Sequence, residues 1–317
     1  MNPIFKFEDV ERLQCKASIM IEGLTGRGKS GLALILGYGL TGGDWTKVSH
    51  VDTENKSANL FAGIECSIGD KFGKFKVGQL TKDIGYKPTH YIAFREAAKR
   101  AGAKVVIKDS ISHAWQYEGG ILDLVTQAKA RATNTKDQYA AWGDPEVVKE
   151  KNELLQLIRD PEVHVITTVR VKEKFEYDTS GEKAKLVSLG EQQIQQADLK
   201  YEADLVLHML KAGSKTKHPV ARVIKSRYAI LVEGDEYEFT PALISQIKEY
   251  LEDGVDPDTL LEQQRQDYIE GVKETLTKTP NLKMIWNVLK KDAGHEKTKL
   301  ADMPLDLLKS LFIKLTS

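Results

Sequence analysis

The stretch that decides the fold is Gly23-Leu24-Thr25-Gly26-Arg27-Gly28-Lys29-Ser30. It fits the P-loop pattern G-x-x-x-x-G-K-[ST]. The apolar run 17–21 precedes it and the apolar segment 32–36 follows it. This context predicts a buried strand, a glycine-rich turn and a helix. A chance match of the pattern to a glycine-rich turn would not need this strand and helix on its two sides.

A P-loop binds phosphate because several donors converge on a small volume. Glycines let successive backbone N–H groups point inward, and the N-terminus of the following helix adds its partial positive charge. We expect the phosphates to be held by Gly23, Leu24, Thr25, Gly26, Arg27, Gly28, Lys29, Ser30 and Gly31. The Lys29 ammonium would reach the β- and γ-phosphates, and the Ser30 hydroxyl would ligate Mg²⁺.

The composition is that of an ordinary globular protein. The chain has 317 residues, and its 46 basic and 46 acidic residues give no net charge, so any surface for nucleic acid must be local. The two cysteines, Cys15 and Cys66, are not spaced as metal ligands are. So few cysteines indicate a reducing compartment and not a disulfide-bonded protein. Without a membrane-spanning apolar run or a signal-peptide pattern, the expected location is the cytoplasm, with no membrane partner.

Short apolar runs alternate with helical patterns, which predicts an α/β fold with a mainly parallel sheet flanked by helices. Expected strands are 48–52, 75–80, 104–109 and 163–169, followed by antiparallel strands at 205–210, 220–225 and 229–232. Expected helices cover 89–101 and a segment closing at 152–158, and Asn55-Lys56-Ser57 opens another. Only helical patterns follow Pro257, so we expect a core at 1–252 and a small helical module at 257–317.

Two acidic residues could complete a nucleotide site. Asp109 ends an apolar strand and suits an acid that holds Mg²⁺, although a strand-end Asp can also simply cap a turn. Glu54 follows the second strand and could orient the attacking water, or it could be an exposed glutamate at a helix start.

The order of GLTGRGKS, VDTE, VVIKDS, HVITTVRVK and IKSRY resembles the RecA-like ATPase core over residues 16–241. Within that class the chain is most similar to the small phage RecA-core ATPases linked to single-strand annealing and recombination. The resemblance implies ATP and Mg²⁺ as cofactors, assembly into a ring or filament, and a bacterial host cell, with a phage as the source of the gene. It also implies that Glu54 is the catalytic glutamate and that Asp109, followed by Ser110, is the Walker B acid.

The resemblance bears on two further places in the chain. RecA-like proteins usually carry Gln or His where this chain has Thr168, so the γ-phosphate sensor departs from the pattern. Lys225-Ser226-Arg227 matches the K-x-R element whose cations reach the neighbouring subunit's nucleotide site in ring-forming relatives. The two cations could instead protect an edge strand from aggregation.

Two long segments, 111–144 and 171–197, correspond to loops that contact single-stranded DNA in RecA-like proteins. Basic and aromatic residues alternate in both, which suits phosphate contact and base stacking. The candidate contacts are Arg170, Lys172, Lys174, Lys183 and Lys185. Interspersed acids nearly cancel their charge, so a solvated charged hairpin is the alternative. Trp115 and Trp142 in the first segment fit core anchors equally well.

The sequence therefore predicts a Mg²⁺-dependent ATPase acting on single-stranded DNA in recombination, annealing or replication, with a partner protein from one of those processes. A ring-forming helicase-type motor fits the K-x-R element equally well. An ATP-dependent scaffold that recruits a partner through its C-terminal helices is the alternative from another class.

Overall fold

The computed structural model describes residues 10–69, 71–131, 139–178, 185–211, 213 and 216–316. The described strands are β1 (Ser18–Gly23), β2 (Val48–Asp52), β3 (Lys76–Gln79), β4 (Val105–Asp109), β5 (His164–Asp178), β6 (Lys185–Gln193), β7 (Leu205–Met209), β8 (Val220–Ser226) and β9 (Glu236–Glu238). The described α-helices are α1 (Lys29–Leu40), α2 (Pro88–Arg100), α3 (Ser112–Gln116), α4 (Ile121–Arg131), α5 (Pro145–Leu155), α6 (Pro241–Glu252), α7 (Pro257–Lys278), α8 (Leu282–Asp292) and α9 (Leu305–Thr316).

The strands form one mixed sheet in the order β3-β2-β4-β5-β1-β7-β8-β9, with β6 paired to β5 outside this path. Strands β1, β2 and β4 are buried along their whole length, as expected for central parallel strands covered on both faces. Helix α1 packs on one face in a core with Ile19 and Ile107, and Tyr91 of α2 lies in the core of the other face. The expected α/β fold with a mainly parallel sheet is confirmed.

The parallel pairing brings several strand ends to one edge of the sheet. Strand β1 runs parallel to β5 and β7, and β4 runs parallel to β2 and β5. The P-loop after β1, Glu54 after β2 and Asp109 at the end of β4 therefore share the carboxyl edge, where open α/β sheets bind ligands.

Several expectations about local structure were wrong. Strand β7 is parallel to β1, and only its pairing with β8 is antiparallel. Residues 229–232 form a turn, in which the Leu231 N–H donates to the Tyr228 carbonyl at 3.0 Å, and the last strand is β9 instead. The helix expected to open at Asn55 is a short 3-10 helix, Ser57–Phe61.

The described parts of the two segments expected to be long loops are largely helices and strands. Residues 111–144 contain α3, α4 and a 3-10 helix, Ala140–Gly143, with residues 132–138 outside the described ones. The second segment continues β5 past the sheet and returns as β6, in antiparallel pairing. We call this pair, residues 171–178 and 185–193, the β5–β6 arm.

The chain divides into two compact units, Cys15–Leu251 and a second one made of Met1–Gln14 with Glu252–Ser317. In the second unit, α7, α8 and α9 enclose a core that includes Ile269, Trp286 and Leu311. The Asp256 side chain caps α7 by accepting a hydrogen bond from the Asp258 N–H, and Pro257 is the first helical residue. None of the helices in the described residues is long and apolar enough to cross a membrane.

Candidate active site

The turn after β1 has the backbone of a phosphate cradle. Gly28, immediately before α1, has φ 87°, a conformation that a residue with a Cβ rarely adopts. A Cβ on Gly23 would lie 3.0 Å from Cβ of Met209 on β7, so this position also needs glycine for close strand packing. The N-terminal N–H groups of α1 are thus presented at the carboxyl edge, where they can bind phosphate oxygens.

Lys29 lies folded over this turn. Its ammonium donates hydrogen bonds to the carbonyls of Gly23 at 2.9 Å and Leu24 at 3.0 Å. Burial lowers the pKa of Lys29, and the carboxylates of Asp109 and Glu54 only partly offset this effect. A phosphate arriving at the turn would meet a cation that is already buried and surrounded by the other site residues.

Asp109 is buried and held by donors from three elements. Its Oδ1 accepts a hydrogen bond from the Thr168 hydroxyl of β5, and its Oδ2 lies 3.5 Å from Nε2 of His50 on β2. Burial opposes ionisation, but interactions with His50, Ser30 and Thr168 outweigh it and lower the pKa of Asp109 to about 2. Asp109 is therefore a fixed anion at neutral pH.

These residues fit a magnesium ion bound with phosphate. Oδ2 of Asp109 is buried and makes no hydrogen bond within the described part of the chain, although Nε2 of His50 lies 3.5 Å away. The Ser30 hydroxyl interacts with the same carboxylate, so two oxygen ligands of the kind that Mg²⁺ prefers lie together. Within the described ranges no cluster of three or more His, Cys, Asp or Glu could hold a metal alone, so the phosphates would supply further oxygens.

Glu54 is positioned by its neighbours on both sides. Its N–H donates to Oδ1 of Asp52 at 2.7 Å, and the Thr53 N–H donates to the Asp109 carbonyl at 2.8 Å. Its Oε1 accepts two hydrogen bonds from Arg170, from Nε at 2.9 Å and from a terminal guanidinium nitrogen at 2.6 Å. Glu54 thus has a fixed backbone and a side chain held toward β5.

Arg170 occupies the junction between the sheet and the β5–β6 arm. It lies opposite Gly23 of β1, and the next residue, Val171, already pairs with Gln193 of β6. Although burial opposes its charge, the hydrogen bond with Glu54 raises the pKa of Arg170. The sequence predicted Arg170 as a nucleic-acid contact, whereas the structure brings its side chain to the candidate catalytic glutamate.

The remaining nucleic-acid candidates lie on the arm. Lys172 is exposed on β5. Lys174 and Lys185 belong to the paired strands, but their side chains lie outside the described ones, as does Lys183 entirely. In the other segment, Trp115 and Trp142 are half-buried against each other with ring centroids 6.3 Å apart, which favours their interpretation as core anchors. DNA contact by any of these residues stays a prediction.

Lys225 and Arg227 form contacts within their own chain. The Lys225 ammonium donates to the carbonyls of Tyr201 and Ala203, each at 2.6 Å. Arg227 lies one residue beyond the end of β8, is more than half exposed and forms an ion pair with Asp204 at 3.1 Å. Lys225 therefore belongs to β8, whereas Arg227 lies outside the strand, so strand geometry does not place both cations on the same side. Their action on a neighbouring subunit stays a prediction.

Sequence reasoning missed the residues that support the site. Asp52 binds the N–H groups of Glu54 and Ala58, and His50 faces Asp109. Thr53 hydrogen bonds to the ring of His113 on α3. The signal for Asp52 was present in VDTE, since an acid two residues before Glu54 can cap the following turn. Nothing in the sequence indicated which residues face His50.

The fold and the site together define a P-loop nucleotide-binding protein of the AAA-type ATPase class. A family model described as an AAA domain matches residues 15–237, which is more than half of the chain. The chain belongs to this AAA domain family. A search of curated proteins found no match.

Proposed function

We propose that the chain is a Mg²⁺-dependent ATPase of the RecA-like class that acts on single-stranded DNA in recombination, annealing or replication, as the small phage RecA-core ATPases do. The observation that best supports ATP hydrolysis is that Ser30, Asp109 and Glu54 lie together around the buried Lys29. Residues 1–252 would perform the chemistry, and the helices of 257–317 would form a separate module.

Each residue has a role that its surroundings suit. The N–H groups of the turn and Lys29 bind the phosphates, with the ammonium exchanging the Gly23 and Leu24 carbonyls for phosphate oxygens. Ser30 and Asp109 hold the cation, which when bound neutralises charge on the β- and γ-phosphate oxygens. Glu54 orients the attacking water and accepts its proton.

The position of the β5–β6 arm supports a role for DNA. The arm leaves the sheet at Arg170, directly beside Glu54, and carries the exposed Lys172. A strand of DNA bound along the arm would therefore act close to the residue that orients water. Phosphate contact by lysines and stacking on aromatic residues would bind it without sequence preference.

The exposed Arg227 supports assembly into a ring or filament, because a guanidinium from a neighbouring subunit can stabilise charge on the transferred phosphoryl group. A phosphate-release assay with and without oligo-dT tests the proposal, with Lys29→Ala as the control for contaminating ATPase. Stimulation by oligo-dT supports action on single strands, and additional strand displacement would support a helicase-type motor.

An ATP-dependent scaffold is the second candidate, and helix α8 favours it. Met284 is 75% exposed, and Ile285 and Val288 on the same helix are about half exposed. Such an apolar face on a separate helical module is typical of partner recruitment. Slow ATP turnover that does not respond to oligo-dT would favour the scaffold over the proposed ATPase motor.

A further inference from the structure

Charge is divided unevenly between the helices of the second unit. Residues 252–270, which include the N-terminal part of α7, contain seven acidic residues and one basic residue, Arg265. Residues 283–299, which include most of α8, contain five lysines and two acidic residues. The unit therefore has an acidic part and a basic part, and surfaces of opposite charge are the kind that complement each other across an interface.

The basic part exposes an apolar stripe on α8. Met284, Ile285 and Val288 are each about half exposed or more, and their spacing places them on one side of the helix. Exposed lysines border the stripe, since Lys291 follows Val288 by three residues and Lys283 directly precedes Met284. The other side of α8 packs into the core of the unit. A partner for this stripe would need apolar side chains beside carboxylates.

The N-terminal part of α7 has these features. Leu261 is half exposed, and the exposed Asp258 and Glu262 lie three residues before it and one residue after it. Asp258 and Glu262 are four residues apart, so they are neighbours on the helix surface. Glu262 forms an ion pair with Arg265 at 2.8 Å, yet its side chain remains 55% exposed. Carboxylates thus border an apolar residue on α7 as lysines border the apolar stripe on α8.

We propose that α8 of one chain binds the N-terminal part of α7 in a second copy, with Leu261 on the apolar stripe and the two carboxylates facing Lys283 and Lys291. Both surfaces are exposed within a single chain, so they do not cover each other there. Every copy offers both surfaces, and such a head-to-tail contact joins chains into a ring or an open filament. The inference goes beyond the proposed function and does not depend on nucleotide, because none of these residues belongs to the candidate active site.

Reversing the charge of either surface tests the contact. Sedimentation velocity over a concentration series, without nucleotide, measures association of the full chain for wild type, Asp258→Lys/Glu262→Lys and Lys283→Glu/Lys291→Glu. In each variant like charges would face each other, so the dissociation constant should rise by about ten-fold or more. Added salt should weaken association of wild type, because it screens exposed charges.

Restoring opposite charges should restore association. An equimolar mixture of the two variants pairs a basic α7 with an acidic α8, and a chain with all four substitutions does the same between its own copies. Both should associate nearly as wild type does, which also shows that the variants are folded. The matched control is Lys273→Glu/Lys314→Glu, which makes the same change of charge at exposed positions of α7 and α9 and should associate as wild type does.

Three results would overturn the inference. The first is a wild type that stays monomeric over the whole concentration series. The second is wild-type association in both charge-reversal variants. The third is association that is lost in the variants but does not return in the mixture or in the chain with four substitutions, because the two surfaces would then not contact each other.

Discussion

Asp109 and Glu54 follow neighbouring strands, but their surroundings separate their roles. Asp109 is buried, and its interactions with His50, Ser30 and Thr168 hold its pKa at about 2, so it remains an anion that can attract a cation. Glu54 is partly exposed, and its ion pair with Arg170 is formed through one of its two carboxylate oxygens, Oε1. In the proposed site, the partly exposed carboxylate of Glu54 is therefore the one suited to orienting water.

The hydroxyl of Thr168 should matter through Asp109. Thr168→Val keeps the shape of the side chain but removes the donor to Oδ1 that fixes the orientation of the Asp109 carboxylate. We expect the Mg²⁺ concentration for half-maximal ATPase activity to rise by about ten-fold, as the loss of one hydrogen bond to a charged group would cause. A Mg²⁺ titration of phosphate release measures this.

Thr168→Ser is the matched control, because it retains the hydroxyl and should keep a nearly normal Mg²⁺ requirement. If the valine variant needs no more Mg²⁺ than wild type, Thr168 does not support the metal-binding carboxylate.

At the scale of elements, the β5–β6 arm is the candidate surface for DNA. Changing Lys172, Lys174, Lys183 and Lys185 together to Ala should weaken binding of oligo-dT and flatten its salt dependence. Each phosphate contact on a single strand contributes about −0.7 to the slope of log affinity against log salt. Fluorescence anisotropy at several salt concentrations measures that slope.

The control changes four exposed lysines of the helical unit, namely Lys273, Lys278, Lys291 and Lys297. These substitutions remove the same charge but should leave the slope unchanged if the arm binds DNA. An unchanged slope in the arm variant would place the DNA site elsewhere on the chain or remove it.

A partly buried network of charged side chains links the arm to the strand that enters the P-loop. Nδ1 of His208 on β7 lies 2.9 Å from Glu22 of β1, and its Nε2 lies 3.4 Å from Glu191 of β6. The hydrogen bond with Glu22 raises the pKa of His208, and Glu191 adds to this while burial and Arg222 oppose it. When it is protonated, the ring of His208 links three strands.

The raised pKa of His208 makes its contribution to stability dependent on pH. The contribution is fully present below the unfolded-state pKa of about 6.5 and is lost as pH rises through the higher folded-state pKa. His208→Gln should therefore lower the melting temperature more at pH 5.5 than at pH 8.5. Thermal denaturation across this range tests it, and an equal loss at both pH values would show that the charge of His208 stabilises nothing.

Local patterns made much of the site predictable. Gly23 through Ser30 and the apolar runs beside them are contiguous, so the strand, turn and helix followed directly from the sequence. Asp109 was predicted because it ends an apolar strand, and Glu54 because it follows the second strand. By contrast, the hydrogen bonds from Arg170 to Glu54 join residues that are 116 positions apart in the sequence. No local sequence pattern specifies which distant side chains will meet in this way.

Strand direction and arm formation were harder to predict for physical reasons. The apolar pattern of β7 is the same whether it pairs in parallel or antiparallel. The sequences of the arm mix acidic, basic and apolar residues, and this pattern does not specify which segment each strand pairs with. The apolar run 229–232 was misleading, since Leu231 is buried while Ile230 and Val232 remain largely exposed in a turn.

At the scale of the whole molecule, assembly can be tested through chemistry. If Arg227 acts in the neighbouring subunit, Arg227→Ala should bind ATP almost normally but hydrolyse it slowly, and Lys29→Ala should fail to bind it. A mixture of the two variants can pair an intact P-loop with an intact Arg227 across one interface. Phosphate release by the mixture should therefore exceed the sum of the separate variants.

The mixing experiment requires proof that the variants co-assemble, for example by copurification through a tag on one of them. If co-assembled subunits remain as inactive as each variant alone, Arg227 does not act in trans and its pair with Asp204 is structural.

The central claim is that Lys29 and Glu54 belong to one site that hydrolyses ATP with Mg²⁺. Its most direct test is phosphate release measured for wild type, Lys29→Ala, Glu54→Gln and the exposed control Lys47→Ala. We predict Mg²⁺-dependent release by wild type and Lys47→Ala, none by Lys29→Ala, and release slower by about 10² or more in Glu54→Gln, which should still bind ATP. Near-normal release by Lys29→Ala or by Glu54→Gln would contradict this account.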